Sequence, residues 1–222
     1  MTLKNIQAIF FDFDGVIADS VHVKTEAFAK IYEPFGEEVV KKVVDHHLAN
    51  GGISRFEKFR LYHRRFLNQN LNDKQLQQIL DNFSSLVLQR VIEAPLIPGT
   101  IEFLEKNYQN LKLFIISATP HDEINKIVKE KNLNKYFKNI CGSPQNKSFW
   151  THSIINEIKL DSSKVIFIGD ALADYNAATE NNIKFVARVN TIGDNIFNGK
   201  KVFKEIKDLF ELDVLLLNGL SD

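Results

Sequence analysis

The chain has 222 residues, of which 44% are hydrophobic and 25% charged, and this composition excludes disordered and fibrous proteins. Lysine and arginine number 28, as do aspartate and glutamate, so no global field would gather nucleic acid or an anionic membrane surface. The one cysteine, Cys141, excludes an internal disulfide, and we expect a cytoplasmic protein because we find no leader-like or membrane-spanning apolar segment.

The first predicted element is a strand over about residues 6–12. Its nearly continuous apolar run is typical of a strand that is buried in a parallel sheet. The run ends at Asp12, and Asp14 follows after one phenylalanine. Side chains alternate faces along a strand, so the two carboxylates point the same way and repel each other. Folding alone gives no reason for this pair.

Residues 19–93 contain helical patterns and no convincing strand. The predicted helices cover residues 21–32, 37–47, 55–67 and 73–91. Two residue pairs at the helix starts have capping-box spacing, namely Ser54 with Glu57 and Asn72 with Gln75. We therefore predict a helical domain at 19–93 that is inserted into a core formed by residues 1–18 and 94–222.

The remainder of the chain alternates strands with helices. The strand patterns lie at residues 111–117, 165–169 and 183–189, with a short strand around 139–141. This alternation predicts an α/β fold, in which a doubly wound parallel sheet has right-handed crossovers.

Polar residues stand where the predicted strands end, which is where ligands bind in such sheets. They are Asp12, Asp14, Ser117, Asp170 and Asp174, and the backbone N–H of Ala118 lies beside Ser117. Lys147 lies in the sequence between the strand that ends at Ser117 and the strand that ends at Gly169. Asp12 is placed to attack phosphorus and form an aspartyl phosphate. Asp14 is placed to protonate the leaving alkoxide and then to activate water.

The carboxylates at this edge require a cation if they are to face a phosphate dianion. Each pair of unit charges would repel by about 4 kcal/mol at about 4 Å in an effective dielectric near 20. Mg²⁺ suits an all-oxygen site, and Lys147 adds a fixed positive charge. Ser117 and the backbone N–H of Ala118 are candidates to hold the phosphoryl oxygens.

Four ordered motifs resemble those of the haloacid dehalogenase superfamily: DFDGVIADS at 12–20, the strand ending in Ser117, the isolated Lys147 and GDALAD at 169–174. The resemblance covers nearly the whole chain, and it implies a Rossmann-like core with a helical cap. It also implies roles for the site residues. Asp12 would be the nucleophile, Asp14 the acid/base and a Mg²⁺ ligand through its carbonyl, Asp170 a metal ligand, Asp174 a supporting or direct ligand, and Ser117 and Lys147 phosphoryl binders.

Asp14 narrows the reaction, because dehalogenases and phosphonatases of this superfamily lack an aspartate there and its transport ATPases carry threonine. We therefore predict a Mg²⁺-dependent phosphatase for a small soluble phosphomonoester, working as a monomer or weak homodimer without nucleic acid or membrane partners. A phosphosugar mutase resembling beta-phosphoglucomutase, and a nucleotidase or pyrophosphatase, stay open as alternatives. The mutase branch carries a hinge histidine where this chain has Lys24, with His22 two residues earlier.

Several residues outside the four motifs were also considered. Arg55 ends a Gly-x-Ser-Arg run similar to one in the mutase branch, so it is a candidate substrate contact that would favour a second anionic group. His46 and His47 are interpreted as surface residues of the insertion, because adjacent histidines on a helix point in different directions. We predict that His121 faces solvent and that Cys141 is a buried thiol.

Overall fold

A computed structural model describes residues 5–193 and 196–220. In these residues, six strands form one parallel sheet in the order β3-β2-β1-β4-β5-β6. The strands are β1 (Ala8–Phe11), β2 (Lys112–Pro120), β3 (Asn139–Ser143), β4 (Val165–Gly169), β5 (Lys184–Arg188) and β6 (Lys204–Ile206). The predicted α/β fold with a doubly wound parallel sheet is confirmed, and β1 lies at its centre between β2 and β4.

Nine α-helices lie within the same described ranges. They are α1 (Val21–Tyr32), α2 (Glu37–Ala49), α3 (Arg55–Phe66), α4 (Asp73–Glu93), α5 (Thr100–Asn107), α6 (His121–Glu130), α7 (Lys147–Glu157), α8 (Leu172–Glu180) and α9 (Leu209–Leu220). Helices α1 to α4 follow β1 directly and begin at the predicted residues. None of the helices in the described ranges combines the length and the apolarity that a bilayer crossing needs.

The predicted caps hold two helices of the insertion in place. The Ser54 hydroxyl accepts a hydrogen bond from the backbone N–H of Glu57 at 3.3 Å, at the start of α3. The Asn72 side chain accepts one from Gln75 at 2.9 Å and completes a capping box on α4. Each bond satisfies a backbone N–H that a helix start otherwise leaves without a partner.

The alternation of side chains along β1 divides the core in two. Ile9 and Phe11 pack on one face of the sheet, within an apolar cluster that continues into the insertion. Ala8 and Phe10 pack on the other face with the strands and helices of the core. Because the insertion shares a continuous core with one face of the sheet, its helices are held over the strand ends.

Two parts of the prediction need comment. Strand β6 was not predicted, because its three residues at the sheet edge include only one buried side chain and so carry no readable periodicity. The division into a cap domain and a core stays a prediction. Residues 1–4, 194–195 and 221–222 of the predicted core lie outside the described residues.

Candidate active site

The loop after β1 carries both predicted aspartates to the carboxyl edge of the sheet. The backbone N–H of Phe13 donates to Asp12 Oδ1 at 2.7 Å and fixes that carboxylate. Gly15 has φ of +79°, and a Cβ at this position would lie 2.0 Å from Asp170 Oδ2. Only glycine therefore allows the Asp170 carboxylate to lie against this loop.

Three carboxylates meet at this edge. Asp12, Asp170 and Asp174 each offer one oxygen, and these oxygens lie within 4.8 Å of one another. Burial raises the pKa of Asp170 well above its usual range, and the charges of Asp12 and Asp174 raise it further. Among the described residues, no hydrogen-bond donor or cation contacts the Asp170 carboxylate. This cluster is therefore short of positive charge.

Lys147 supplies part of that charge from the first residue of α7. Its Nζ lies 2.7 Å from Asp12 Oδ2 and 2.6 Å from Asp174 Oδ1. Burial disfavours the charged lysine, but the two carboxylates outweigh burial and raise the pKa of Lys147. The second oxygen of Asp174 accepts a hydrogen bond from the backbone N–H of Ala171 at 3.1 Å. Burial raises the pKa of Asp174 to about 7 despite its contact with Lys147.

Asp14 has different surroundings from Asp12. Its Oδ1 accepts a hydrogen bond from the Ser20 hydroxyl at 2.6 Å, and its Oδ2 accepts from Lys24 Nζ and from the Thr119 hydroxyl. Burial alone would raise the pKa of Asp14, but the Lys24 charge and the hydrogen bonds from Lys24 and Ser20 lower it. For Asp12, burial prevails over Lys147 and the pKa is raised. The two neighbouring aspartates thus differ in acidity.

The segment after β2 approaches the same edge. Ser117 is buried, and its hydroxyl accepts a hydrogen bond from the backbone N–H of Thr119 at 3.1 Å. The register between β2 and β3 shifts between Ile116 and Pro120, so the backbone is irregular here. Ala118 and Thr119 form the adjacent wall of a cavity. The predicted phosphoryl contacts of Ser117 and Ala118 stay predictions.

A cavity of about 110 Å³ lies between the strand ends and the insertion. Two sets of residues line it. The sheet side contributes Asp12, Asp14, Ala118, Thr119 and Asp170. The insertion contributes residues that include Lys24, Phe28, His47, Arg55, Lys58 and Phe83.

Arg55 lies in the cavity wall, but its charge is already paired. Its guanidinium donates to both carboxylate oxygens of Glu123 on α6, at 3.0 and 2.5 Å, and to the Ser84 hydroxyl at 2.9 Å. It also lies 4.5 Å from the centroid of the Phe83 ring. Sequence analysis did not identify Glu123, because no local spacing links two residues that are 68 positions apart. A substrate contact for Arg55 stays a prediction.

The interpretation of the paired histidines was wrong for His47. That residue is only 7% exposed, because its face of α2 packs against α1 and α3, and its Nδ1 lies 2.9 Å from Lys58 Nζ. His46 is partly buried and contacts the Tyr62 hydroxyl at 3.1 Å. A helical pattern shows which residues share a face, but it does not show that a neighbouring helix covers that face.

Two other predictions agree with the structure. His121 is exposed on the first turn of α6. Cys141 is buried, and burial raises the pKa of its thiol to about 12. Lys58 and Glu123 are residues of this region that sequence analysis missed, and it did not identify Lys24 as a contact of Asp14. A buried cation carries no local signal in a chain where charged residues are common.

One family model matches most of the chain. A model of the haloacid dehalogenase-like hydrolases matches residues 9–188. Comparison with curated protein sequences gives no significant match.

Three solved structures are similar across nearly their full length. A haloacid dehalogenase-like hydrolase from Streptococcus pneumoniae is 21% identical, with a TM-score of 0.71, covering 95% of this chain and 98% of that one. The HAD-hydrolase YfnB from Bacillus subtilis, bound to magnesium, is 17% identical, with a TM-score of 0.72 and coverage of 96% and 100%. A beta-phosphoglucomutase from Clostridium difficile is 20% identical, with a TM-score of 0.76 and coverage of 96% and 98%. At these identities the likeness concerns the fold.

Proposed function

The chain belongs to the haloacid dehalogenase-like hydrolase family, and we propose that it is a Mg²⁺-dependent phosphatase that hydrolyses a small phosphomonoester through an aspartyl phosphate. The observation that carries this proposal is the meeting of Asp12, Asp14 and Asp170 at one cavity, with Lys147 in contact with Asp12. A carboxylate nucleophile, a separate proton carrier and a fixed cation are the groups that this chemistry needs.

The carboxylate cluster fits Mg²⁺, which prefers oxygen ligands. We assign the carboxylates of Asp12 and Asp170 and the backbone carbonyl of Asp14 as its ligands. Both oxygens of Asp174 are already engaged, by Lys147 and by Ala171, so we assign Asp174 to supporting the site. Bound there, Mg²⁺ would offset the repulsion between the carboxylates and the phosphate dianion and polarise the phosphoryl oxygens.

In the first half of the reaction, a carboxylate oxygen of Asp12 attacks phosphorus. The bond between phosphorus and the ester oxygen breaks, and the leaving alkoxide takes a proton from Asp14. Lys147 holds Asp12 in place and adds positive charge near the phosphoryl oxygens. Ser117 and the Ala118 backbone N–H are proposed to bind those oxygens.

In the second half, water releases the phosphoryl group. Asp14, now ionised, takes a proton from water as the water oxygen attacks phosphorus, and the bond from phosphorus to Asp12 breaks. Inorganic phosphate leaves, and both aspartates return to their starting forms. The hydrogen bonds from Ser20 and Lys24 favour the ionised form of Asp14, from which this step starts, over the protonated form from which the first half starts.

The proposal is tested by phosphate release from a panel of phosphorylated metabolites. Wild-type protein with Mg²⁺ should release phosphate from at least one of them, and EDTA should abolish the release until Mg²⁺ is restored. Asp12→Asn should reduce activity to background and form no phosphoenzyme. Asp19→Asn, which alters an exposed aspartate in the same motif, is the matched control. Full activity in the metal-free protein or in Asp12→Asn would overturn the proposal.

The alternatives differ from the phosphatase in what happens after phosphoryl transfer or in what the cavity admits. A phosphosugar mutase would isomerise its substrate without releasing stoichiometric phosphate, so the ratio of phosphate released to substrate consumed separates the two. Nucleotides and pyrophosphate in the same panel test the third possibility. The proposed setting is the cytoplasm, and the proposed partner is the phosphorylated small molecule alone.

A further inference from the structure

Three cations of the insertion line the cavity, and in the part of the chain that the structure describes two of them contact a carboxylate. Lys24 is paired with Asp14, and Arg55 with Glu123. Lys58, on α3, is 2% exposed, and among the described residues no carboxylate lies within 4.0 Å of its Nζ. It is therefore a buried cation whose counter-charge is missing.

The surroundings of Lys58 are polar on one side only. Its Nζ is hydrogen bonded to His47 Nδ1 at 2.9 Å and lies 5.7 Å from the centroid of the Phe28 ring. An ammonium group has no lone pair, so Lys58 donates and Nδ1 accepts, which places the proton of the neutral imidazole on Nε2. Burial lowers the pKa of His47 to about 3, so this ring stays neutral. The pair thus presents N–H donors and no acceptor of its own.

This arrangement is costly for the protein alone. Burial lowers the pKa of Lys58 to about 7, and the charges of Lys24 and Lys147 lower it further. One neutral hydrogen bond and one ring face do not replace the hydration that a buried ammonium loses. An anion in the cavity would supply the missing counter-charge and accept the free N–H groups.

We infer that Lys58 and His47 form a second anion subsite at the insertion end of the cavity, and that the substrate is a phosphomonoester with a further anionic group. This inference rests on the proposed function, which assigns the sheet end of the cavity to the transferred phosphoryl group. Arg55 is not the primary contact, because Glu123 already satisfies it in bidentate fashion. Carboxylate and phosphate share the chemistry that the subsite recognises.

The size of the cavity limits the substrate. Its volume of about 110 Å³ is well below the roughly 300–1,000 Å³ of sites that hold drug-sized ligands. Phe28 and Phe83 contribute apolar surface to the cavity wall beside Lys58 and Arg55. We therefore assign a short substrate, with a few carbon atoms between its two anionic groups.

Calorimetric titration with non-hydrolysable phosphonates in Mg²⁺ tests the subsite. Phosphonoacetate and 3-phosphonopropionate carry the second anion as a carboxylate, and propane-1,3-bisphosphonate carries it as a phosphonate. Ethylphosphonate and propylphosphonate lack it. Wild-type protein should bind the best doubly anionic probe roughly 10- to 100-fold more tightly than its alkyl counterpart, the range expected for a hydrogen bond to a charged group.

Lys58→Met should reduce that preference to less than about threefold. Arg64→Met removes an exposed positive charge from the same helix and should leave the preference intact. His47→Gln, which removes the imidazole N–H, should reduce the preference in part and provides a second test if Lys58→Met does not fold. Circular dichroism and thermal unfolding establish the folding of each variant.

The inference is overturned if wild-type protein shows no preference or binds none of the probes. It is also overturned if the Lys58 and His47 variants weaken both probe types equally, which would indicate a purely structural role. Turnover of p-nitrophenyl phosphate by wild-type protein reports on the proposed function separately. Absent turnover with a Lys58-dependent preference would leave the subsite standing and remove the phosphatase, whereas turnover without the preference would do the reverse.

Discussion

The cavity has a sheet wall, with Asp12, Asp14 and Asp170 at the strand ends, and an insertion wall, which includes Lys24, Arg55 and Lys58. The two walls balance their charges in different ways. On the sheet wall, Lys147 is shared by Asp12 and Asp174, while no cation of residues 5–193 and 196–220 contacts the Asp170 carboxylate. On the insertion wall the imbalance has the opposite sign, since Arg55 is paired with Glu123 but no carboxylate in those same ranges contacts Lys58. One wall therefore lacks a cation and the other an anion. A metal ion and an anionic substrate group are the two components that would balance them.

On the sheet wall, the substitution Asp14→Asn should have the largest effect on activity. This change keeps the backbone carbonyl but removes the proton carrier, so kcat/KM should fall by roughly 10²–10⁴-fold, the usual range for general acid–base catalysis. The loss should be smaller with p-nitrophenyl phosphate, whose leaving group hardly needs a proton. Steady-state kinetics on both esters checks this, and near wild-type activity would show that Asp14 carries no proton.

On the insertion wall, the paired cation should be the one that the fold depends on. Arg55→Met leaves the largely buried Glu123 carboxylate without a cation, with the Ser84 hydroxyl still donating to it at 2.9 Å, and it should lower the free energy of unfolding by about 3–5 kcal/mol. The double variant Arg55→Met/Glu123→Gln should recover most of that loss, because no uncompensated charge remains. Urea denaturation of both variants measures the effect. Equal stability of the single and double variants would contradict the importance of the pair.

The unpaired cation should have the opposite and smaller effect. Lys58→Met removes a buried charge that lacks a counter-ion, so the free energy of unfolding should rise even though ligand preference is lost. Because the folded pKa of Lys58 lies near 7 and its unfolded pKa near 10.5, the wild-type penalty is complete below pH 7 and fades as the pH rises toward 10.

The gain in the free energy of unfolding from Lys58→Met should therefore become smaller as the pH rises from 7 toward 10. The charged groups that act on Lys58 are Lys24, Lys147 and Glu57, and the first two oppose its protonation. Thermal unfolding of wild type and Lys58→Met at pH 6, 8 and 9.5 measures the difference, with Arg64→Met as control. A constant difference across the series would indicate that Lys58 is not buried as a charged group.

The site residues of the sheet wall could be predicted from the sequence because the ends of parallel strands meet at one edge of the sheet. The pair Asp12 and Asp14, Lys147 and Asp170 come from three distant parts of the sequence, yet each follows a strand or a turn that the sequence pattern locates. The sequence-based fold prediction succeeded for the same reason, since buried strands are recognisable from composition. The opposite pKa shifts of Asp12 and Asp14 were not predictable from sequence, because Lys24, whose charge lowers the pKa of Asp14, approaches from another element.

The buried charged residues of the insertion wall could not be predicted in this way. Its charged residues lie on helices, where a side chain is buried or exposed according to how that helix packs on its neighbours. Lys58 and His47 face each other only because α2 and α3 pack together, and Glu123 reaches Arg55 from a helix of the core. Helical spacing places Lys58 and the exposed Arg60 on different faces of α3, but it does not show that a neighbouring helix covers the face of Lys58.

The Arg55–Glu123 ion pair also bears on how ligands leave. It joins α3 of the insertion to α6 of the core, so any motion that separates these helices must break two charge-assisted hydrogen bonds together. Water solvates both charges once they part, and this hydration offsets much of the energy that the broken contact costs. Under the proposed function, we therefore expect the residence time of a product behind this contact to depend on the insertion, and the rate of bond cleavage to depend on the strand ends.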